Sequence, residues 1–102
     1  MKNRKEITIY FDEDFFQKLK YKAKMNGTTI SDFLRYLIEE KYIKREEPKL
    51  RESDVERNEI HKYPLRLDDK LYKNLLEKMN EQNDEYINKV VIKLVNKYYN
   101  LL

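Results

Sequence analysis

Carboxylates provide the strongest catalytic signal in this chain of 102 residues. Asp12-Glu13-Asp14 and Asp68-Asp69 each place acids side by side, as in enzymes that pair a general acid with a general base. Each cluster, however, stands directly before a stretch with helical periodicity. Acids at that position cap free backbone N–H groups and complement the helix dipole. Because the arrangement occurs twice, we interpret both clusters as helix caps and predict that the protein is not an enzyme.

Metal and cofactor chemistry has little support in the sequence. His61 is the single histidine, and there is no cysteine for a thiolate ligand or a disulfide. No glycine-rich phosphate loop and no nucleophile–base pair occurs. We therefore predict no metal, no cofactor and no small-molecule ligand. Without a membrane-length apolar run or a signal peptide, we expect a soluble cytoplasmic protein. The composition, rich in Lys, Asn and Tyr, hints at an AT-rich viral or plasmid genome, and hence at a host cytoplasm if viral.

Two short stretches alternate between apolar and polar residues, which is typical of half-buried strands. In residues 7–11 the apolar side chains Ile7, Ile9 and Phe11 share one face. Residues 63–67 alternate in the same way. A lone strand is unstable in water, so each stretch needs a partner. We therefore expect each of the two stretches to pair with another strand.

Two helices are predicted after each strand. Phe15, Leu19 and Ala23 recur at four-residue intervals, and Asn26-Gly27 then ends the first helix. Thr29 is a good N-cap for the second helix, which we expect to end near residues 42–44. The apolar stripe of this second helix consists of Ile30, Phe33, Leu34, Leu37 and Ile38.

The pattern then repeats. Leu71, Leu75 and Met79 follow the first-helix stripe by 56 positions, and the second-helix stripe recurs 57 positions later. We predict a mainly α protein, built as β-α-α-linker-β-α-α. The predicted parts are a first motif at residues 5–44, a charged connector at 45–60 and a second motif at 61–102. About 45 residues bury too little apolar surface to fold alone, so both motifs are expected to share one core.

Both halves resemble the ribbon-helix-helix (MetJ/Arc/CopG-like) superfamily of DNA-binding transcription regulators. The resemblance rests on the strand ending in Phe11-Asp12, the Leu19/Ala23 helix face and the run from Asn26 to Arg35. It implies a tandem ribbon-helix-helix protein with a two-stranded antiparallel β-ribbon. Residues 7–11 and 63–67 would pair within one chain, as an intramolecular pseudo-dimer, or between two chains. In that family the ribbon enters the major groove of double-stranded DNA, and outward side chains contact base edges.

The resemblance also implies roles for individual residues. By alternation, the groove-facing side chains are Glu6, Thr8, Tyr10, Lys62, Pro64 and Arg66. All but Pro64 are candidate base readers, although Glu6 repels phosphate. The candidate phosphate-binding residues are Arg4, Lys5, Thr28, Thr29 and Ser31. The matching turn of the second half carries Asp84 and Glu85, so we expect unequal phosphate anchors and interpret Asp84 as a helix cap.

Two questions stay open at the level of sequence. A protein-interaction module, such as an antitoxin or co-regulator, is the alternative function, because Glu6, Pro64 and the acidic turn suit DNA poorly. Several tyrosines exceed the needs of a small core, and they either line a contact between pseudo-dimers or cap the core with their hydroxyls. These tyrosines are Tyr36, Tyr42, Tyr98 and Tyr99.

Overall fold

The described part of the chain is mainly helical, with a two-stranded antiparallel sheet and four helices. The computed structural model describes residues 4–44 and 60–101. The elements are β1 (Arg4–Asp12), α1 (Glu13–Met25), α2 (Ile30–Tyr36), β2 (Ile60–Asp68), α3 (Asp69–Gln82) and α4 (Ile87–Tyr98). A π-helical segment, Leu37–Ile43, continues α2, and a 3₁₀ turn, Tyr99–Leu101, continues α4. Most of the predicted connector lies outside the described residues, and its last residue, Ile60, begins β2.

The two strands pair along their whole length. Ile7 lies opposite Leu65, Ile9 opposite Tyr63, and Arg4 opposite Asp68. The pairing therefore occurs within one chain, between the stretches that the alternation predicted. Both strands are longer than the predicted stretches, because β1 begins at Arg4 and β2 begins at Ile60. Arg4 and Lys5, two of the candidate phosphate-binding residues, therefore belong to the ribbon.

Each strand leads directly into a capped helix. Asp12 accepts a hydrogen bond from the backbone N–H of Phe15 at 3.1 Å, and Asp68 accepts one from Leu71 at 2.7 Å. The acids at these two positions are thus helix caps, as predicted. His61, in β2, lies over the Phe16 ring with centroids 3.7 Å apart, and its Nδ1 is 2.9 Å from a Glu13 carboxylate oxygen.

The second helix of the first half changes its hydrogen bonding after Tyr36. Lys44 N–H donates to the carbonyl of Glu39, five residues earlier, at 3.2 Å. The helical segment therefore ends where the periodicity predicted, at Ile43, but its last turns are π-helical. The apolar stripe does not predict the π-helical hydrogen bonding, because the residues of the stripe face the core as expected.

One core serves both halves of the chain. α4 packs against β1 and α2 packs against β2, so each half supplies a helix to the other half's strand. Tyr42 and Tyr98 are buried in this core, whereas Tyr36 is 45% exposed. No helix in residues 4–44 and 60–101 is long and apolar enough to cross a bilayer. The fully buried side chains from the two strands are Ile9, Phe11, Leu65 and Leu67.

Candidate nucleic-acid interface

The face of the ribbon that points away from the helices is polar and exposed. The opposite face buries Ile9, Phe11, Leu65 and Leu67 in the core. The alternation of the two strands predicted this separation, since side chains two residues apart share a face. The exposed side chains are Glu6, Thr8, Tyr10, Lys62, Pro64 and Arg66.

The centre of this face is the directly opposed pair Thr8–Pro64, which we call the central pair. Neighbouring contacts identify which backbone groups point outward. Tyr10 N–H donates to Asn88 Oδ1 at 2.6 Å, and the Arg66 carbonyl accepts from Arg35 Nη1 at 2.9 Å. Backbone groups two residues apart point the same way, so the nitrogen of Pro64 also faces outward. The proline therefore removes no hydrogen bond between the strands, and the ribbon stays regular through it.

An ion pair crosses the ribbon on one side of the central pair. Arg66 Nε lies 3.5 Å from Glu6 Oε2, and the two side chains are 67% and 53% exposed. An exposed pair at this distance contributes about 0–1 kcal/mol of stability. Both groups therefore remain available to a ligand that offers better partners. On the other side of the central pair, Tyr10 lies opposite Lys62.

The starts of α2 and α4 flank the two edges of the ribbon. At the β2 edge, the hydroxyls of Ser31 and Tyr63 are hydrogen-bonded. At the β1 edge, Asn88 holds the backbone of Tyr10. The N–H groups and the positive dipole end of a helix attract anions. The fold thus brings two helix starts beside the exposed ribbon face, on opposite sides of it.

The residues predicted to bind phosphate lie near the β2 edge or in β1. Thr29 caps α2 by accepting from the Asp32 N–H at 3.0 Å, and the half-buried Thr28 donates to the Thr29 carbonyl at 3.5 Å. Ser31 is half-buried against Tyr63. The Lys5 side chain is exposed. By alternation in β1 it lies on the same face of the ribbon as Ile7, opposite to the face of the predicted base readers. The side chain of Arg4 lies outside the described part of the structure.

Asp84 is not a helix cap, which corrects the sequence interpretation. Its carboxylate accepts a hydrogen bond from the Tyr42 hydroxyl at 2.5 Å. Burial raises the pKa of Tyr42 far above its ordinary value, and the hydrogen bond to Asp84 raises this pKa further. The N-cap of α4 is Tyr86, which makes no side-chain cap hydrogen bond. Asp84 therefore joins the π-helical segment to the α3–α4 turn, and Glu85 stands exposed beside it.

Two surface carboxyls have pKa values below their usual range. The side-chain amide of Gln17 lowers the pKa of Glu13, and His61 lowers it further. Arg35 lowers the pKa of Asp32, with help from the Thr29 hydroxyl. Both acids lie at helix starts next to the ribbon, and both remain ionised at neutral pH.

Sequence reasoning missed Arg35 and Asn88, which hold the outer edges of the ribbon. Arg35 donates to the Arg66 carbonyl and to Asp32 Oδ1, both at 2.9 Å. Asn88 stands 57 positions after Ser31, so the repeat predicted from the sequence is the signal that could have identified it. No pattern in the sequence indicated that the Arg35 side chain would contact the Arg66 carbonyl.

Comparisons with known protein families, with curated proteins and with solved structures found no match to this chain. Within residues 4–44 and 60–101, no group of three His, Cys, Asp or Glu side chains is arranged to hold a metal ion.

Proposed function

We propose that this protein is a sequence-specific, double-stranded DNA-binding transcription regulator of the ribbon-helix-helix type, with both motifs in one chain. The observation that carries the proposal is an exposed polar ribbon face with a helix start at each edge. The major groove of B-DNA, about 12 Å wide, admits a two-stranded ribbon. Helix starts beside the ribbon would then meet the phosphates that line the groove.

The proposed duplication has support in the helix ends. Gly27 and Asn83 stand 56 positions apart, and both have left-handed backbones, with φ of 68° and 59°. In the next residues, Thr28 N–H donates to the Ala23 carbonyl at 3.0 Å and Asp84 N–H to the Met79 carbonyl at 2.8 Å. These pairs are also related by the same 56 positions. The extra residue of the second half therefore falls after Asp84.

The strand register supports a pseudo-twofold axis. Thr8 and Pro64 are 56 positions apart and lie directly opposite each other. A duplicated chain whose copies pair symmetrically must bring equivalent residues together at the axis. The pseudo-dimer that we propose thus has its axis through the central pair.

The two halves of the proposed DNA-binding face differ in chemistry. The axis relates Glu6 to Lys62 and Tyr10 to Arg66, so no base-reading position repeats. At the helix starts, Thr28 and Thr29 of the first half correspond to Asp84, Glu85 and Tyr86 of the second. The preferred core site is therefore non-palindromic, and the first-half anchor binds phosphate more strongly.

Selection from a random DNA pool tests the proposal. The bound duplexes should share a sequence, and the affinity for it should fall steeply with salt because bound Lys and Arg release counterions. Scrambled duplexes of equal length are the control. The proposal would be refuted if the protein slowed the migration of neither selected nor scrambled duplexes in a gel.

A protein-interaction module is the second candidate, and the α3–α4 turn is the observation that favours it. Glu85 and Asp84 place two acidic side chains where a phosphate would sit. Such a module, an antitoxin or co-regulator, would show no sequence-specific DNA binding and no salt-dependent retardation. Self-association of pseudo-dimers fits either candidate, with exposed Tyr36 as its contact.

A further inference from the structure

The exposed ribbon face carries two opposed pairs, one on each side of the central pair. Glu6 faces Arg66 on one side, and Tyr10 faces Lys62 on the other. All four lie at positions that are not hydrogen-bonded between the strands, as the outward backbone contacts of Tyr10 and Arg66 indicate. Opposed side chains are closest at such positions. Each pair can therefore act on one ligand as a unit.

The Glu6–Arg66 pair presents a donor and an acceptor side by side. Their contact uses Arg66 Nε and Glu6 Oε2, at 3.5 Å. The terminal guanidinium nitrogens and the second carboxylate oxygen are not part of it. A ligand at this point of the ribbon would meet two parallel N–H donors with an acceptor beside them.

We propose that Glu6 and Arg66 together select one G·C base pair in one half of the bound site, an inference that rests on the proposed function. In the major groove a G·C pair presents two guanine acceptors, N7 and O6, followed by the cytosine N4 donor. Arg66 donates to the two acceptors and Glu6 accepts from the cytosine amine. An A·T pair presents a donor at adenine N6 and an acceptor at thymine O4, so both contacts become unfavourable.

The same pairing explains a carboxylate on a DNA-binding face. A lone Glu6 would be repelled by phosphate, but beside Arg66 its charge is balanced and its oxygen contacts a base. The opposite pair, Tyr10–Lys62, has no carboxylate and makes no such demand for cytosine. The combined contact to the guanine and the cytosine of one base pair is therefore confined to one half of the site.

Base-pair substitution in the selected site tests the inference. Dissociation constants are measured for wild type, Glu6→Gln and Arg66→Lys on duplexes that carry each of the four base pairs at each position. At one position, wild type should prefer G·C over A·T by about tenfold or more. Both variants should reduce that ratio at least about fivefold at that position. Lys62→Gln and Tyr10→Phe are the matched variants across the axis. They should leave the G·C over A·T ratio at that position unchanged.

The outcomes separate the two proposals. Wild type that binds every duplex alike refutes the proposed function, and the inference with it. Wild type that selects a site, while Glu6→Gln and Arg66→Lys shift affinity uniformly or at different positions, overturns the inference alone. A selected site with A·T at the position sensitive to both variants also overturns it.

Discussion

Two contacts hold Arg66, and they act on different parts of the residue. Its backbone carbonyl accepts from Arg35, which fixes the strand edge, whereas its side chain meets Glu6 only across an exposed 3.5 Å gap. The backbone is therefore held in place while the guanidinium stays free to exchange partners. This combination suits a residue whose partner is a ligand.

Replacing Arg66 with Ala should weaken DNA binding by about 1–3 kcal/mol and relax one base preference. The free energy of unfolding should change by less than about 1 kcal/mol, because the Glu6 ion pair is exposed. Titration of a labelled selected duplex and urea unfolding measure the two effects. Lys73→Ala, an exposed cation on α3, is the control. Unchanged affinity in a folded Arg66→Ala protein would remove this residue from the interface.

Tyr42 and Asp84 form a half-buried hydrogen bond between distant parts of the chain. Tyr42→Phe should lower the free energy of unfolding by about 1–3 kcal/mol, because the Asp84 carboxylate loses its donor. Tyr36→Phe, on the exposed face of α2, should be nearly neutral. Urea unfolding measures both, and a double-mutant cycle with Asp84→Ala isolates the pair. An additive cycle would show that the two side chains do not stabilise each other.

The raised pKa of Tyr42 gives this stabilisation a defined pH dependence. The phenol stays protonated in the folded state but ionises in the unfolded state near pH 10, at about the ordinary pKa of tyrosine. The stability that it contributes is therefore complete below about pH 10 and is lost as the pH rises further. The difference in unfolding free energy between wild type and Tyr42→Phe should narrow above about pH 10. A difference that stays constant would contradict the assignment.

At the scale of elements, the two strand-to-helix junctions use the same cap. Asp12→Ala and Asp68→Ala should each cost about 0.5–2 kcal/mol of stability, since each leaves a helix N–H without its acceptor. Asp→Asn at either position should cost less, because Asn caps equally well. Thermal unfolding compares the four variants. A clearly unequal cost would indicate that the junctions are not equivalent.

Local sequence patterns predicted the strands and helices. The roles of individual side chains that depend on contacts distant in sequence could not be predicted in this way. Alternation and apolar stripes were sufficient for both strands, for four helices and for the Asp12 and Asp68 caps. Asp84 has the same local signal as a cap, but its partner lies 42 residues earlier in the chain. Arg35 and Asn88 likewise contact strands of the other half. Such choices depend on packing between halves, which no local window of sequence contains.

At the scale of the molecule, the two halves form one structure with unlike ends. Each strand is covered by the second helix of the other half, so neither half keeps its core alone. The pseudo-twofold axis that we propose nevertheless relates Glu6 to Lys62 and Thr29 to Tyr86. On this proposal, a pseudo-symmetric backbone carries an asymmetric surface. Bound to a non-palindromic site, the protein should therefore take one orientation.

Site-directed DNA cleavage measures this orientation, because the chain has no cysteine and a single one can be introduced. An iron chelate attached to Glu85→Cys, in the exposed α3–α4 turn, should cut the selected duplex on one flank only. The same reagent on Asn26→Cys, in the exposed α1–α2 turn, should cut the opposite flank. Equal cutting of both flanks from either position would mean that the protein binds in two orientations. The surface differences between the halves would then contribute nothing to recognition.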